Sequence, residues 1–276
     1  MRSVSHTTGS LHFHKFLPSQ PASISEAVPK VLALHGLTGH GQRWETFARN
    51  HIPEYEVTAP DLRGHGFSPW DPPWNLERHV ADLQRFLNKN DHTIVVGHSF
   101  GGAVALHLAK TCPELIHGLV LVDPAIEVSP PWIRSLTEAT VASPDYASAE
   151  EARQDKVNGA WRNVPPELLD AELKEHLVKL PTGRMNWRIC VPAIITGFGE
   201  LARPTVAPAK PIPTTLLRAT RQSPPFVTPA AITTLRAALG DHLTLIDVDS
   251  DHMVTHEKPE LIATAIRDIA RQLAPQ

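Results

Sequence analysis

A serine flanked by glycines, a histidine in the last tenth of the chain and an aspartate closing an apolar run are the residues here that can do chemistry together. Gly97-His98-Ser99-Phe100-Gly101, followed by Gly102, fits the pattern G-x-S-x-G. It stands directly after the apolar run TIVV and opens an alanine-rich stretch that reads as helix. That strand–turn–helix setting holds a serine exposed at the top of a sheet, on a turn too tight for side chains at its flanks. A serine hydroxyl is a weak nucleophile and needs a base. His252, in Asp249-Ser250-Asp251-His252-Met253, lies past the last apolar run and before the final helical pattern. Together the two predict acyl transfer. Ser99 attacks a carbonyl carbon, His252 takes the proton, and water activated by His252 then cleaves the acyl-enzyme.

The oxyanion formed on attack needs preorganised donors. The backbone N–H of Phe100, next after the serine, is one candidate. The other is the N–H of Leu37, in His35-Gly36-Leu37-Thr38, directly after the apolar run KVLAL. His35 and His98 beside these donors are candidate substrate contacts, and so are Trp132 and Trp187 further along.

The elements that must position these groups are strands alternating with helices. LHFHKF (11–16) alternates apolar and polar residues and reads as a half-exposed strand of a leading hairpin. Residues 30–34, 55–59, 93–97, 118–122, 214–219 and 243–248 read as strands, the continuous apolar ones buried on both faces as in a parallel sheet. Helical patterns fall at 76–89, 102–111, 229–239 and 258–273. This alternation predicts a mostly parallel, doubly wound α/β sheet. Residues 124–212 break it. They are Pro-rich, carry Trp132, Trp161 and Trp187, and show mostly helical pattern, clearest in PELLDAELKEHLVKL. An insertion of this size after the sixth strand predicts a helical cap over the carboxyl edge of the sheet, with 1–123 and 213–276 forming the core.

Composition narrows the classes. The chain has 276 residues and a formal net charge of -3 with the signs interspersed, which argues against a nucleic-acid footprint. No apolar run is long enough to span a bilayer. The first residues carry no apolar h-region, so a cytoplasmic location is expected. Cys112 and Cys190 fit no zinc or redox spacing and are expected to be reduced thiols. His252 and His256 have i, i+4 spacing, but Met253 stands where a metalloprotease helix needs Glu, so no metal is expected there.

The segments LHGLTGHGQRW, PDLRGHGFSP, GHSFGG, LVLVDPA and DHMVTHEKPE resemble the α/β-hydrolase superfamily from residue 30 to the end, the cap apart. SPWDPPW, SPDY, ELLDAELKEHLVKLPTGR and TTLLRATRQSPPFV resemble the LipV-type lipases and carboxylesterases of mycobacteria and other actinobacteria. The resemblance implies carboxylic ester hydrolysis on a small-molecule or lipid ester, without a cofactor. One departure stands out. No acidic residue follows TTLLRA, where the superfamily usually carries its triad acid; the sequence there is Thr220-Arg221-Gln222-Ser223-Pro224-Pro225. Asp123, closing GLVLV one strand away, is the expected acid, a placement that some superfamily members resemble. Glu127 is the runner-up, and Asp249 and Asp251 rank last because they sit too close to His252 in sequence. A serine nucleophile argues against dehalogenase and epoxide hydrolase chemistry. Thioester and carbon–carbon bond hydrolysis, acyl transfer to an alcohol, and a slow hydrolase-like binding protein remain as alternatives, since the fold alone does not choose among them.

Overall fold

The computed structural model describes residues 3–8, 11–19 and 28–274. A hairpin of β1 (Ser3–Thr8) and β2 (Leu11–Phe16) is followed by β3 (Lys30–Leu34), α1 (Glu45–His51), β4 (Val57–Pro60) and α2 (Leu76–Leu83). Then come β5 (Thr93–His98), α3 (Phe100–Thr111) and β6 (Gly118–Val122). The inserted segment holds α4 (Pro130–Ala142), α5 (Ala149–Asn158), α6 (Pro166–His176), β7 (Leu177–Lys179), β8 (Met185–Trp187) and α7 (Val191–Leu201). The chain closes with β9 (Thr214–Ala219), α8 (Pro229–Leu239), β10 (Leu243–Val248), α9 (Val254–Glu257) and α10 (Pro259–Leu273).

Among the described residues, eight strands form one sheet in the order β1-β2-β4-β3-β5-β6-β9-β10. The leading hairpin joins antiparallel, and every pair from β4 to β10 is parallel. Strand residues alternate between two cores, as the two-residue period of a strand requires. Leu32, Leu34, Leu119, Leu121 and Leu216 face α2, α3 and α8. Val31, Ala33, Val120, Val122 and Leu217 face α1 and α10. Both faces are thus covered by helices, and the carboxyl ends of β3, β5, β6 and β10 run into the loops that carry the candidate residues.

The strands at 11–16, 30–34, 118–122, 214–219 and 243–248 fall where their patterns place them. The reading of PELLDAELKEHLVKL as one helix needs correction, while the segment around it is mostly helical as expected. Helix α6 stops at His176, and Leu177–Lys179 pairs antiparallel with Met185–Trp187. Pro181-Thr182-Gly183-Arg184 lies between them, with Gly183 at φ 86° and its N–H on the carbonyl of Leu180 at 2.9 Å. A glycine-built hairpin turn outweighs the helical spacing of the residues before it.

Candidate active site

Ser99 sits between β5 and α3 at φ 55°, ψ −120°. A non-glycine residue held there is strained and persists only where its surroundings enforce it. The enforcement comes from the glycines. A Cβ on Gly97 would lie 2.3 Å from the carbonyl oxygen of Gly101, and one on Gly101 would lie 2.4 Å from that of Leu34. The Ser99 N–H donates to the carbonyl of Val122 at 3.1 Å, tying the turn to β6. The loop after β3 closes on the serine, since a Cβ on Gly36 would be 3.0 Å from Cβ of Ser99. Leu37 follows in the wall of the same cleft. The N–H of Phe100 belongs to the first turn of α3, where helix N–H groups lack intrahelical partners.

His252 follows β10. Its Nδ1 lies 2.6 Å from Oδ2 of Asp123. A carboxylate only accepts, so Nδ1 carries the proton and Nε2 the lone pair. The ring rests against Phe226, centroids 4.1 Å apart, and against His98 at 4.7 Å. Nε2 of His98 donates to the His252 carbonyl at 2.9 Å, which anchors the loop. Burial and the neighbouring His252 push the His98 pKa well below the ordinary histidine value, so this ring stays neutral.

Asp123 is 1% exposed and turns off β6 at φ 39°. Its N–H donates to the carbonyl of Leu217 at 2.7 Å, and its Oδ1 accepts from the N–H of Ala219 at 3.1 Å. Both carboxylate oxygens are therefore in use, one on β9 and one on His252. The other acids lie elsewhere. Glu127 accepts from the Thr205 hydroxyl at 2.7 Å. Asp251 is held by Arg162 at 2.7 and 2.9 Å and by Asn163 at 2.6 Å, and these bonds lower its pKa, the one to Arg162 most. Asp249 is exposed, 3.4 Å from Arg221.

Ser99 and His252 share a cleft of about 290 Å³, whose wall also carries Leu37, Trp187, Arg43 and Lys156. Of the expected substrate contacts, His98 and Trp187 line it. His35 and Trp132 do not, which corrects those two expectations. His35 is buried behind the loop, with Nδ1 donating to the carbonyl of Gly36 at 2.8 Å and Nε2 accepting from the N–H of Leu62 at 2.9 Å. Both ring nitrogens are spent holding the backbone. Trp132 packs on Phe226, centroids 4.4 Å apart, and acts at one remove from His252.

Sequence reasoning passed over Arg43, Lys156 and Glu172. Glu172 is 4% exposed and accepts from His40 Nε2 at 2.7 Å and from Arg43, joining the inserted segment to the β3 loop. Its signal was present: Leu169, Glu172, Leu173 and His176 share one helical face at i, i+3, i+4 and i+7. A charge on an apolar face marks a buried partner. Among the described residues, His12, His14 and Asp61 bring one potential metal-ligand atom each within 4.8 Å of one another. Asp61 there already accepts from His12 and from the N–H groups of Gly41 and Phe67.

A family model described as the alpha/beta hydrolase family matches residues 31–265. The chain is 46% identical to Lipase LipV of Mycobacterium tuberculosis over 259 residues, 93% of this chain and 96% of that one. It is 27% identical to an sn-1-specific diacylglycerol lipase of Xenopus laevis, over 63% of this chain and 58% of that one. Among solved structures, E-2-(acetamidomethylene)succinate hydrolase superposes with a TM-score of 0.79 at 18% identity, covering 98% of this chain and 100% of that one. An esterase of M. tuberculosis superposes at 0.71 and 22% identity, covering 98% and 92%. With a family match spanning most of its length and a full-length lipase relative, the chain belongs to the α/β-hydrolase family, among its lipase and esterase members.

Proposed function

We propose that this ester hydrolase works through Ser99 as nucleophile, His252 as general base and Asp123 as the acid that orients it. The observation that carries the reading is the 2.6 Å contact between Asp123 Oδ2 and His252 Nδ1, in the loop that shares a cleft with Ser99 on its strained turn. With Nδ1–H given to Asp123, Nε2 is left to take the Ser99 proton as Oγ bonds to the carbonyl carbon. The carbonyl oxygen becomes an oxyanion facing the N–H groups of Leu37 and Phe100. His252 then gives its proton to the leaving alkoxide as the ester C–O bond breaks. Water repeats the sequence: its proton goes to Nε2, its oxygen to the acyl carbon, and Ser99 Oγ leaves with the proton returned.

The segment 124–212 acts as a cap over this cleft, because it supplies Trp187, Tyr146, Lys156 and Trp161 to the wall. A cleft of about 290 Å³ favours an ester with a short acyl chain. A fluorophosphonate probe should label the protein at Ser99, and Ser99→Ala should abolish both labelling and hydrolysis of nitrophenyl esters. A Ser99→Ala variant that keeps more than a few per cent of turnover removes Ser99 from the role. A wild-type protein that binds esters but neither labels nor turns them over favours the binding-protein alternative.

A further inference from the structure

The cleft wall carries charge that the hydrolytic steps do not use. Lys156 belongs to α5, whose sequence AEEARQDKVN reads as a solvent-facing helix, yet Lys156 is only 8% exposed and lines the cleft with Ser99 and His252. Its ammonium lies 4.7 Å from the ring centroid of Trp161 and 4.2 Å from that of Trp187. The rings attract a cation but accept no strong hydrogen bond. The carboxylate facing it, Glu172, is 3.8 Å away, beyond hydrogen-bond range. That carboxylate is already engaged by His40 and by the forked guanidinium of Arg43. One buried carboxylate thus stands between two basic side chains, leaving one positive charge in excess whenever Lys156 carries its proton. The other acid in the wall, Asp155, is exposed to water and accepts from the Tyr146 hydroxyl at 2.8 Å. His256, which packs on Trp161, is pushed down to about 3 chiefly by burial and adds no charge at neutral pH.

A buried cation short of acceptors is costly unless an anion arrives to complete it. Burial first and Arg43 second hold the Lys156 pKa down to about 7, which is the same cost expressed in protons. The geometry points to an anion subsite at Lys156, taking a carboxylate at the far end of the acyl chain of the ester being cleaved. The substrate class is therefore a half-ester of a short dicarboxylic acid. This rests on the ester-hydrolase reading and adds a specificity element to it.

The test compares two series of nitrophenyl esters of equal chain length. One carries a terminal carboxylate (glutarate, adipate, pimelate) and the other a terminal methyl (pentanoate, hexanoate, heptanoate). The readout is the ratio of kcat/KM within each matched pair. In the wild-type protein the best pair should favour the carboxylate about tenfold or more, the size of a charge-assisted hydrogen bond. The preference should fall as pH rises through the range where Lys156 loses its proton, with Arg43 and Glu172 keeping their charges. Lys156→Met, which fits the slot between the two indoles without charge, should lower that ratio about tenfold or more. If Lys156→Met fails to fold, the wild-type ratio and its pH dependence decide the matter. A wild-type ratio at or below one for every pair overturns the subsite, as does a Lys156→Met protein that retains the wild-type preference. Failure of both series to be cleaved at all would instead count against ester hydrolysis.

Discussion

Replacing Asp123 by Asn changes almost nothing in shape and should remove most of the activity. The carboxylate accepts two N–H groups, Ala219 N at 3.1 Å and His252 Nδ1 at 2.6 Å. An amide has one oxygen and one NH₂ to set in the same place. With the oxygen on His252, the NH₂ meets the N–H of Ala219 donor to donor, at a site 1% exposed. That conflict costs about 1–3 kcal/mol. With the NH₂ on His252 instead, Nδ1 must present its lone pair, and the ring proton moves to Nε2, where Ser99 needs a base. Either way the negative charge beside the developing imidazolium is lost. Unit charges about 4 Å apart at an effective dielectric of about 20 interact by about 4 kcal/mol. The two effects together come to roughly 5–7 kcal/mol, or about 10⁴ or more in kcat. The change from Asp to Asn in a serine-protease triad costs a similar factor. The assay is kcat on nitrophenyl butyrate, with a melting curve to verify that the variant is folded. Glu127→Gln and Asp251→Asn are the controls and should each stay within about tenfold of wild type. An Asp123→Asn protein with near-normal kcat, beside a Glu127→Gln or Asp251→Asn protein that has lost it, would refute the assignment.

Three further outcomes are expected. Burial is the first cause holding His14 and His65 down to about 4 and His79 and His256 down to about 3, while in the unfolded chain each returns toward 6.5. Below 6.5 the unfolded state therefore binds more protons, so stability is lost as pH falls from 6.5 toward 4, by up to about 1.4 kcal/mol per pH unit per histidine. A melting temperature that stays flat between pH 7 and pH 5 would contradict this. Gly101→Ala sets a Cβ 2.4 Å from the carbonyl oxygen of Leu34 and 2.7 Å from that of His35, and backbone yields less readily than a side chain. Urea unfolding should show a loss of about 1–3 kcal/mol, with kcat reduced as the Ser99 turn shifts; unchanged stability and rate would mean that the turn is not tight. Trp187→Ala opens one wall of the cleft and should move the acyl-chain optimum of the neutral esters to longer chains. A uniform fall on every chain length would assign Trp187 to packing alone.

The core was legible because it repeats a simple rule. Strands buried on both faces read as unbroken apolar runs, and Thr93–His98 and Gly118–Val122 are buried throughout. Asp123 directly follows such a run and Ser99 follows another, whereas His252 lies beyond β10, a partly exposed strand; the topology of a parallel sheet brings the loops that carry them to one edge. The inserted segment was harder. Its helices bury only scattered residues, one of the thirteen in α4 and two of the ten in α5. Helical spacing there says little about which side faces the cleft. Lys156 gave no signal because its stretch AEEARQDKVN is polar almost throughout. His35 and Trp132 drew attention for the opposite reason. Their types suit ligand contact, but a pattern of residue types does not reveal that a ring's nitrogens are already spent on backbone.

The absence of an acid after β9 has a structural answer. Strands β6 and β9 are parallel neighbours, with Val122 beside Leu217. The residue after β6 therefore emerges next to the end of β9. The positive φ of Asp123 turns it sideways, and its N–H and Oδ1 both bind β9, at Leu217 and Ala219. The carboxylate thus leans over the end of β9, the strand after which the family usually carries its acid. What stands after β9 is occupied otherwise. The Thr220 hydroxyl donates to the carbonyl of Val248, and Arg221 pairs with Glu257 and lies 3.9 Å from Asp251, bracing the loop that holds His252. An acid at 220 or 221 would put a second negative charge beside Asp123 or break that brace. Moving the proposed acid from the β6 end to the β9 end thus takes a coupled exchange: an acid placed after β9 by Thr220→Asp should restore little activity to Asp123→Asn, because the Ala219 N–H and the β9 backbone remain arranged for a carboxylate arriving from β6. Recovery of more than about a tenth of wild-type kcat in that double variant would show the two positions to be interchangeable.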